Sequence, residues 1–122
     1  MQNYKELKVW EKAHSFTLKI YQVTKEFPKE EIYGLTSQMR RAAASIPVNI
    51  AEGCGRNSNL ELANFLQISL GSTNEMEYDL LLAKELVYLS EPNYSELNIL
   101  IGEIRAMLLS LIQKVRNKPF KS

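Results

Sequence analysis

Apolar residues recur at steps of three and four almost from end to end of this chain, and only three short stretches interrupt the recurrence. That period belongs to helices with one buried face, and no segment sustains the alternation of a strand. The interruptions fall at Phe27-Pro28, at Gly53 to Asn57 and at the run Ser90 to Ser95 around Pro92. Four helices follow, at about residues 6–26, 34–52, 59–89 and 94–117. Short connections between them make sequential helices antiparallel neighbours. The fold class is therefore all-α, an antiparallel up-down-up-down four-helix bundle forming a single domain over residues 1–122. A chain of 122 residues that is 45% hydrophobic can bury such a core without metal or disulfide support.

Each helix offers an inward line. Trp10, Ala13, Thr17, Ile20, Thr24 and Phe27 make the first, and Leu35, Met39, Ala42, Ala43, Ile46 and Ile50 the second. The third is Leu62, Leu66, Ser69, Thr73, Met76, Leu80, Ala83 and Val87. Ser58 and Glu61 match a capping box at its start. The last helix carries Leu97, Ile101, Ile104, Leu108, Leu111 and Val115 on one line. Leu100, Met107, Leu109 and Ile112 add apolar surface beside it, either as a wide core-facing stripe or as a face covered by another subunit.

The second helix holds Pro47 in its middle. Proline cannot donate to the carbonyl of Ala43, and its ring crowds that turn, so a kink or a fresh start is expected there, with Asn49 or a water serving the freed carbonyl. Small residues precede it, and Ser69 to Glu75 supplies small residues on the third helix. A hairpin turning near Gly55 sets Ala42 opposite Ser69, with close packing at mid-height. Arg41, Ser45, Asn49, Glu52 and Arg56 form a polar line on the same helix. It reads as a solvated face or, with Leu100 and Met107, as a subunit or partner interface. Arg41 is also placed to pair with Glu75 or Asp79 across the hairpin.

Catalytic patterns are thin. His14 is the sole histidine and has no partner at metal-ligand spacing. Cys54 is the sole cysteine, so no intrachain disulfide forms, a reducing compartment is expected, and no histidine is tied to it as a base. "GCGRNS" lacks the full phosphate-loop or dinucleotide pattern. No pair of Glu-x-x-His motifs marks a di-iron bundle. The expectation is a protein that is not an enzyme and carries no cofactor, metal or small-molecule substrate. The first residues carry charges every few positions rather than an apolar run, unlike a signal peptide, and no apolar run approaches membrane-spanning length. A cytoplasmic protein is expected.

Net charge is only +1, but its placement is uneven. In this topology one pole collects Lys5, Lys8, Lys12, Arg56, Lys114, Arg116, Lys118 and Lys121 against Glu6, Glu11, Glu52 and Glu61, an excess of roughly four positive charges. The other pole has Glu26, Glu30, Glu31, Glu85, Glu91 and Glu96 against three lysines, an excess of roughly three negatives. The eight cations are the candidate nucleic-acid contacts. They would read phosphates without base specificity, since no aromatic platform interleaves them.

"YGLTSQMRRAAASIPVNIAEGCGRNS", followed by "ELANFLQISLGSTNEMEYDLLLAKEL", resembles the 23S ribosomal-RNA intervening-sequence protein family. "LKVWEKAHSF", Tyr21 and Phe27-Pro28 fit as well, so nearly the whole chain is covered. The resemblance implies a left-handed bundle that assembles as a ring, a homopentamer, with no enzymatic activity. A similar fold serves as the accessory protein of diversity-generating retroelements, a basic barrel whose charge this near-neutral chain does not share. Taken together, these readings point to a homo-oligomeric binding protein associated with ribosomal RNA or a ribonucleoprotein. The alternative is a protein-interaction scaffold that never touches nucleic acid.

Overall fold

The computed structural model describes residues 3–117, and among them every regular element is helical. The helices are α1 (Lys8–Thr24), α2 (Leu35–Cys54), α3 (Asn59–Glu85) and α4 (Glu91–Asn117), with short 3₁₀ turns at Tyr4–Glu6 and Lys29–Glu31. Each packs on its neighbours in sequence, and α4 closes against α1. Partner numbers fall on one helix as they rise on the other: Gln38 meets Asp79 and Ser45 meets Ser72, while Lys12 meets Glu103 and Lys19 meets Glu96. Adjacent helices therefore run antiparallel. Phe16, Ile20, Met39, Ile46, Ile50, Leu66, Met76, Leu80, Leu97, Ile101, Ile104 and Leu108 fill the interior.

The inward lines hold with local exceptions. α1 begins at Lys8 rather than Glu6, and Val9 and Phe16 take core positions while Trp10 is only half-buried. Ile112 belongs to the core and Leu111 is the half-buried one, because the stripe of α4 drifts around the helix over its 27 residues. α4 starts at Glu91, so Pro92 lies in its first turn, where no intrahelical bond needs its missing N–H. Ser90 supports that turn by accepting from Asn93 N (3.3 Å) through its hydroxyl and from Tyr94 N (2.8 Å) through its carbonyl.

α3 stops at Glu85, four residues short of the expected end. Tyr88 N donates to Ala83 O and Val87 N to Lys84 O, both at 2.9 Å, the paired closure that ends a helix with one left-handed residue. That residue is Val87 (φ 64°), which is 86% exposed instead of continuing the seam. A β-branched residue there is strained, since the conformation favours glycine.

α2 continues through Pro47 as one helix instead of starting afresh. The carbonyl of Ala43, deprived of its helical donor, lies 3.0 Å from Thr17 Oγ1 on α1, a hydroxyl also 2.9 Å from Ala13 O. Asn49 does not serve it; its Nδ2 donates to Ser45 O (2.9 Å) and Ser45 Oγ (3.0 Å). The interruption in α2 is therefore answered by a neighbouring helix.

Small residues do face each other across α2 and α3, with Ser69 Oγ donating to Ile46 O at 2.9 Å and Ser72 Oγ to Ser45 Oγ at 2.9 Å. The register is about one turn away from Ala42 opposite Ser69, because the connection lies at Gly55 to Ser58 and not symmetrically about Gly55. Gly53 lies inside α2, where a Cβ would come within 2.9 Å of Leu62 Cδ1 and 3.0 Å of Phe65 Cβ. It is a close-packing glycine rather than a helix stop. Ser58 caps α3 by accepting from Glu61 N (3.1 Å), but the Glu61 carboxylate meets the Ser58 hydroxyl instead of returning to its backbone.

Candidate nucleic-acid interface

The bundle brings the start of α1 beside the end of α4, and Lys8 and Lys114 flank one groove there. Leu7, Met107, Ser110 and Leu111 help line it, and its volume is about 430 Å³. Lys5, Lys8, Lys114 and Arg116 are exposed, and none forms an ion pair with a described residue. Lys118 and Lys121 lie outside the described residues.

The other two cations are already engaged. Lys12 Nζ is 2.9 Å from Glu103 Oε1 on α4. Arg56 pairs with Glu52 one turn earlier (3.2 Å), and its guanidinium lies 4.7 Å from the Phe65 ring centroid. The basic pole is thus weaker than its residue list: among the described residues four cations have no ion pair and two are neutralised. The lysine count on α1 could not reveal this, because Glu103 is 91 positions from Lys12.

Aromatic residues gather near the same pole, which the sequence reading did not anticipate. Trp10 stacks on His14 at 5.0 Å with 7° between planes, and Tyr4 meets Trp10 at 5.0 Å and 64°. The i,i+4 spacing of Trp10 and His14 is the signal that was available. On α1 this stack occupies a different side from Lys8 and Lys12, so the rings adjoin the cations without alternating with them.

The polar line of α2 divides. Ser45 and Asn49 are spent on each other and on Ser72, and Glu52 on Arg56. Arg41 is exposed and meets neither Glu75 nor Asp79 in an ion pair. Leu100 and Met107 are half-buried against the core. Gln38 is the residue that reaches Asp79, with Nε2 donating to Oδ1 at 2.9 Å. Asp79 is fully buried and its Oδ2 has no partner. Burial above all, then the nearby Glu75 charge, pushes its carboxyl up to about 6, against the opposing effect of the Gln38 hydrogen bond. Its place three residues after Met76 and four before Ala83, on the inward side of α3, was the missed sign of burial.

Cys54 is buried, and desolvation pushes its thiol pKa upward, the reverse of an activated nucleophile. No group of three or more potential metal ligands occurs among the described residues, and no helix there is long and apolar enough to cross a membrane.

Fold and surface together define a four-helix bundle with cations at one pole and a polar, arginine-bearing face along α2. Residues 5–110 match the family described as 23S rRNA-intervening sequence protein, and the chain belongs to that family. A crystal structure of a protein of unknown function from the S23 ribosomal protein family of Bacteroides thetaiotaomicron superimposes with a TM-score of 0.80. That protein is 30% identical, and the alignment covers 86% of this chain and 95% of the other. Among curated proteins no sequence matches.

Proposed function

We propose that this chain is a non-enzymatic, homo-oligomeric cytoplasmic protein that associates with ribosomal RNA or a ribonucleoprotein through its basic pole. The observation that carries this reading is the cluster of Lys5, Lys8, Lys114 and Arg116, exposed and without an ion pair among the described residues, where α1 begins and α4 ends. The family description, which refers to an intervening sequence of 23S rRNA, makes ribosomal RNA the nucleic acid to test. Contact falls on phosphates and carries little base preference, because lysines and arginines on open helix ends supply charge without a fixed fit to base edges. Assembly of several chains with their poles on one side multiplies the charge and steepens the salt dependence.

The test is binding of the purified protein to structured ribosomal RNA across a salt series, beside a variant carrying Lys5→Glu, Lys8→Glu and Lys114→Glu. Affinity falls steeply with salt, by a log–log slope of about −0.7 to −0.9 for each phosphate neutralised. The variant binds weakly at every salt concentration. Equal binding by both proteins, or none by the wild type at low salt, refutes the reading. The second outcome leaves the scaffold alternative, favoured by the neutralised Lys12 and Arg56 and by the apolar residues exposed outside the pole.

A further inference from the structure

The outer side of α2 beside α1 carries an open groove of about 650 Å³ that the basic-pole reading does not use. Arg40 and Arg41 line it and no carboxylate does. Arg40 is held in place: its guanidinium lies 4.8 Å from the Tyr21 ring centroid, and Nε donates to Thr24 Oγ1 at 2.9 Å. Arg41 is exposed and unpaired among the described residues. Thr36, 2% exposed, also lines the groove, and its hydroxyl has no hydrogen-bond partner. Ile32 and Val48, 50% and 56% exposed, add apolar surface toward its two ends. The groove therefore asks for a projecting segment that is apolar and carries an anion.

The chain itself presents such a segment. At the connection from α3 to α4, exposed Glu85 has no ion pair with a described residue, and Leu86 and Val87 stand out beside it. Val87 holds the strained left-handed backbone described above, so an apolar side chain projects where a glycine would be easier. Groove and projection share one end of the bundle, since Tyr88 reaches Glu31 Oε2 at 3.0 Å beside Ile32. The groove runs along the outer side of α2 beside α1, and the projection stands at the connection from α3 to α4. Arg41 and Glu85 form no ion pair with each other within the chain, so the contact is not made inside one molecule.

We propose that the Glu85-Leu86-Val87 projection of one copy docks in the Arg40/Arg41 groove of the next. This rests on the self-association in the proposed function and names the surfaces that would make it. The two surfaces differ, so the contact is heterologous, and repeating it gives a closed ring or an open filament according to the rotation between copies. Glu85 would meet Arg41, while Leu86 and Val87 would cover the part of the groove's apolar lining nearest to it. The line Arg41 to Arg56 then serves assembly only through Arg41, its remaining members being engaged within the chain.

The experiment measures the mass of the full chain in solution by light scattering and native mass spectrometry over a concentration series. Wild type is compared with Arg41→Glu, Glu85→Arg and the double variant. Both positions are exposed, and circular dichroism verifies that the helices remain in all three variants. Each single reversal weakens association about tenfold or more, and the double variant, with the charges exchanged, recovers it. Singles that assemble like the wild type overturn this contact and leave self-association standing. Loss without recovery in the double variant overturns the pairing of Glu85 with Arg41. A wild-type chain that stays monomeric throughout, or one whose groove merely takes inorganic phosphate without assembling, overturns the proposal and the self-association together.

Discussion

Asp79→Asn removes the one described carboxylate that the bundle buries completely. An unfolded aspartate releases its proton near 3.8, whereas this one holds it to about 6. Between those values the folded protein keeps a proton that the unfolded chain has lost. The stability associated with it is present below 3.8 and is lost as pH rises to about 6, after which the curve is level. At roughly 1.4 kcal/mol per pH unit the loss is about 3 kcal/mol. Asparagine keeps an acceptor for Gln38 and carries no charge. Its amide, however, replaces the unpartnered Oδ2 and itself lacks a partner, which costs about 1–2 kcal/mol. The variant is therefore more stable by about 1–2 kcal/mol near neutral pH, a rise of roughly 4 °C in Tm for each kcal/mol. Near the unfolded value of 3.8 the advantage vanishes or reverses. Urea unfolding of both proteins at several pH values measures the difference, in which the other carboxylates cancel. A wild-type-minus-variant difference that stays constant across the window would falsify the assignment of a buried, charged Asp79.

Further substitutions test the packing. Thr17→Val removes the hydroxyl facing the freed Ala43 carbonyl and costs about 1–2 kcal/mol; with Pro47→Ala also present that cost shrinks, and a double-mutant cycle of denaturation midpoints reads the coupling. Gly53→Ala drives a methyl against Leu62 and Phe65 and destabilises by about 1–3 kcal/mol, seen as a lower midpoint at unchanged slope. Val87→Gly acts in opposite directions on two measurements. Relief of the left-handed backbone stabilises the dissociated chain by about 1 kcal/mol, while loss of the apolar projection weakens association by mass measurement.

The comparison of residues with structure separates by the range of the forces involved. Helix identity was open to reading, since a buried face at steps of three and four is a property of neighbours along the chain, as in Met39, Ile46 and Ile50. Serine at the start of α3 and the small residues facing across α2 and α3 were open for the same reason. The family, too, was legible in the stretch around Arg40 to Arg56, and residues 5–110 match it.

What the sequence by itself determined is thus four amphipathic helices in one order and the faces they would bury. Tertiary structure alone decided how far each helix slides against the next, because a shift of one turn leaves the apolar stripe of either helix intact. That shift put Gln38 rather than Arg41 opposite Asp79, and Ile46 rather than Ala42 opposite Ser69. It also decided which charges survive as free charges: Lys12 is neutralised by a glutamate on a helix far along the chain, while Lys8 and Lys114 remain open beside each other. Coulomb attraction depends on distance in space, and only the packed bundle sets that distance.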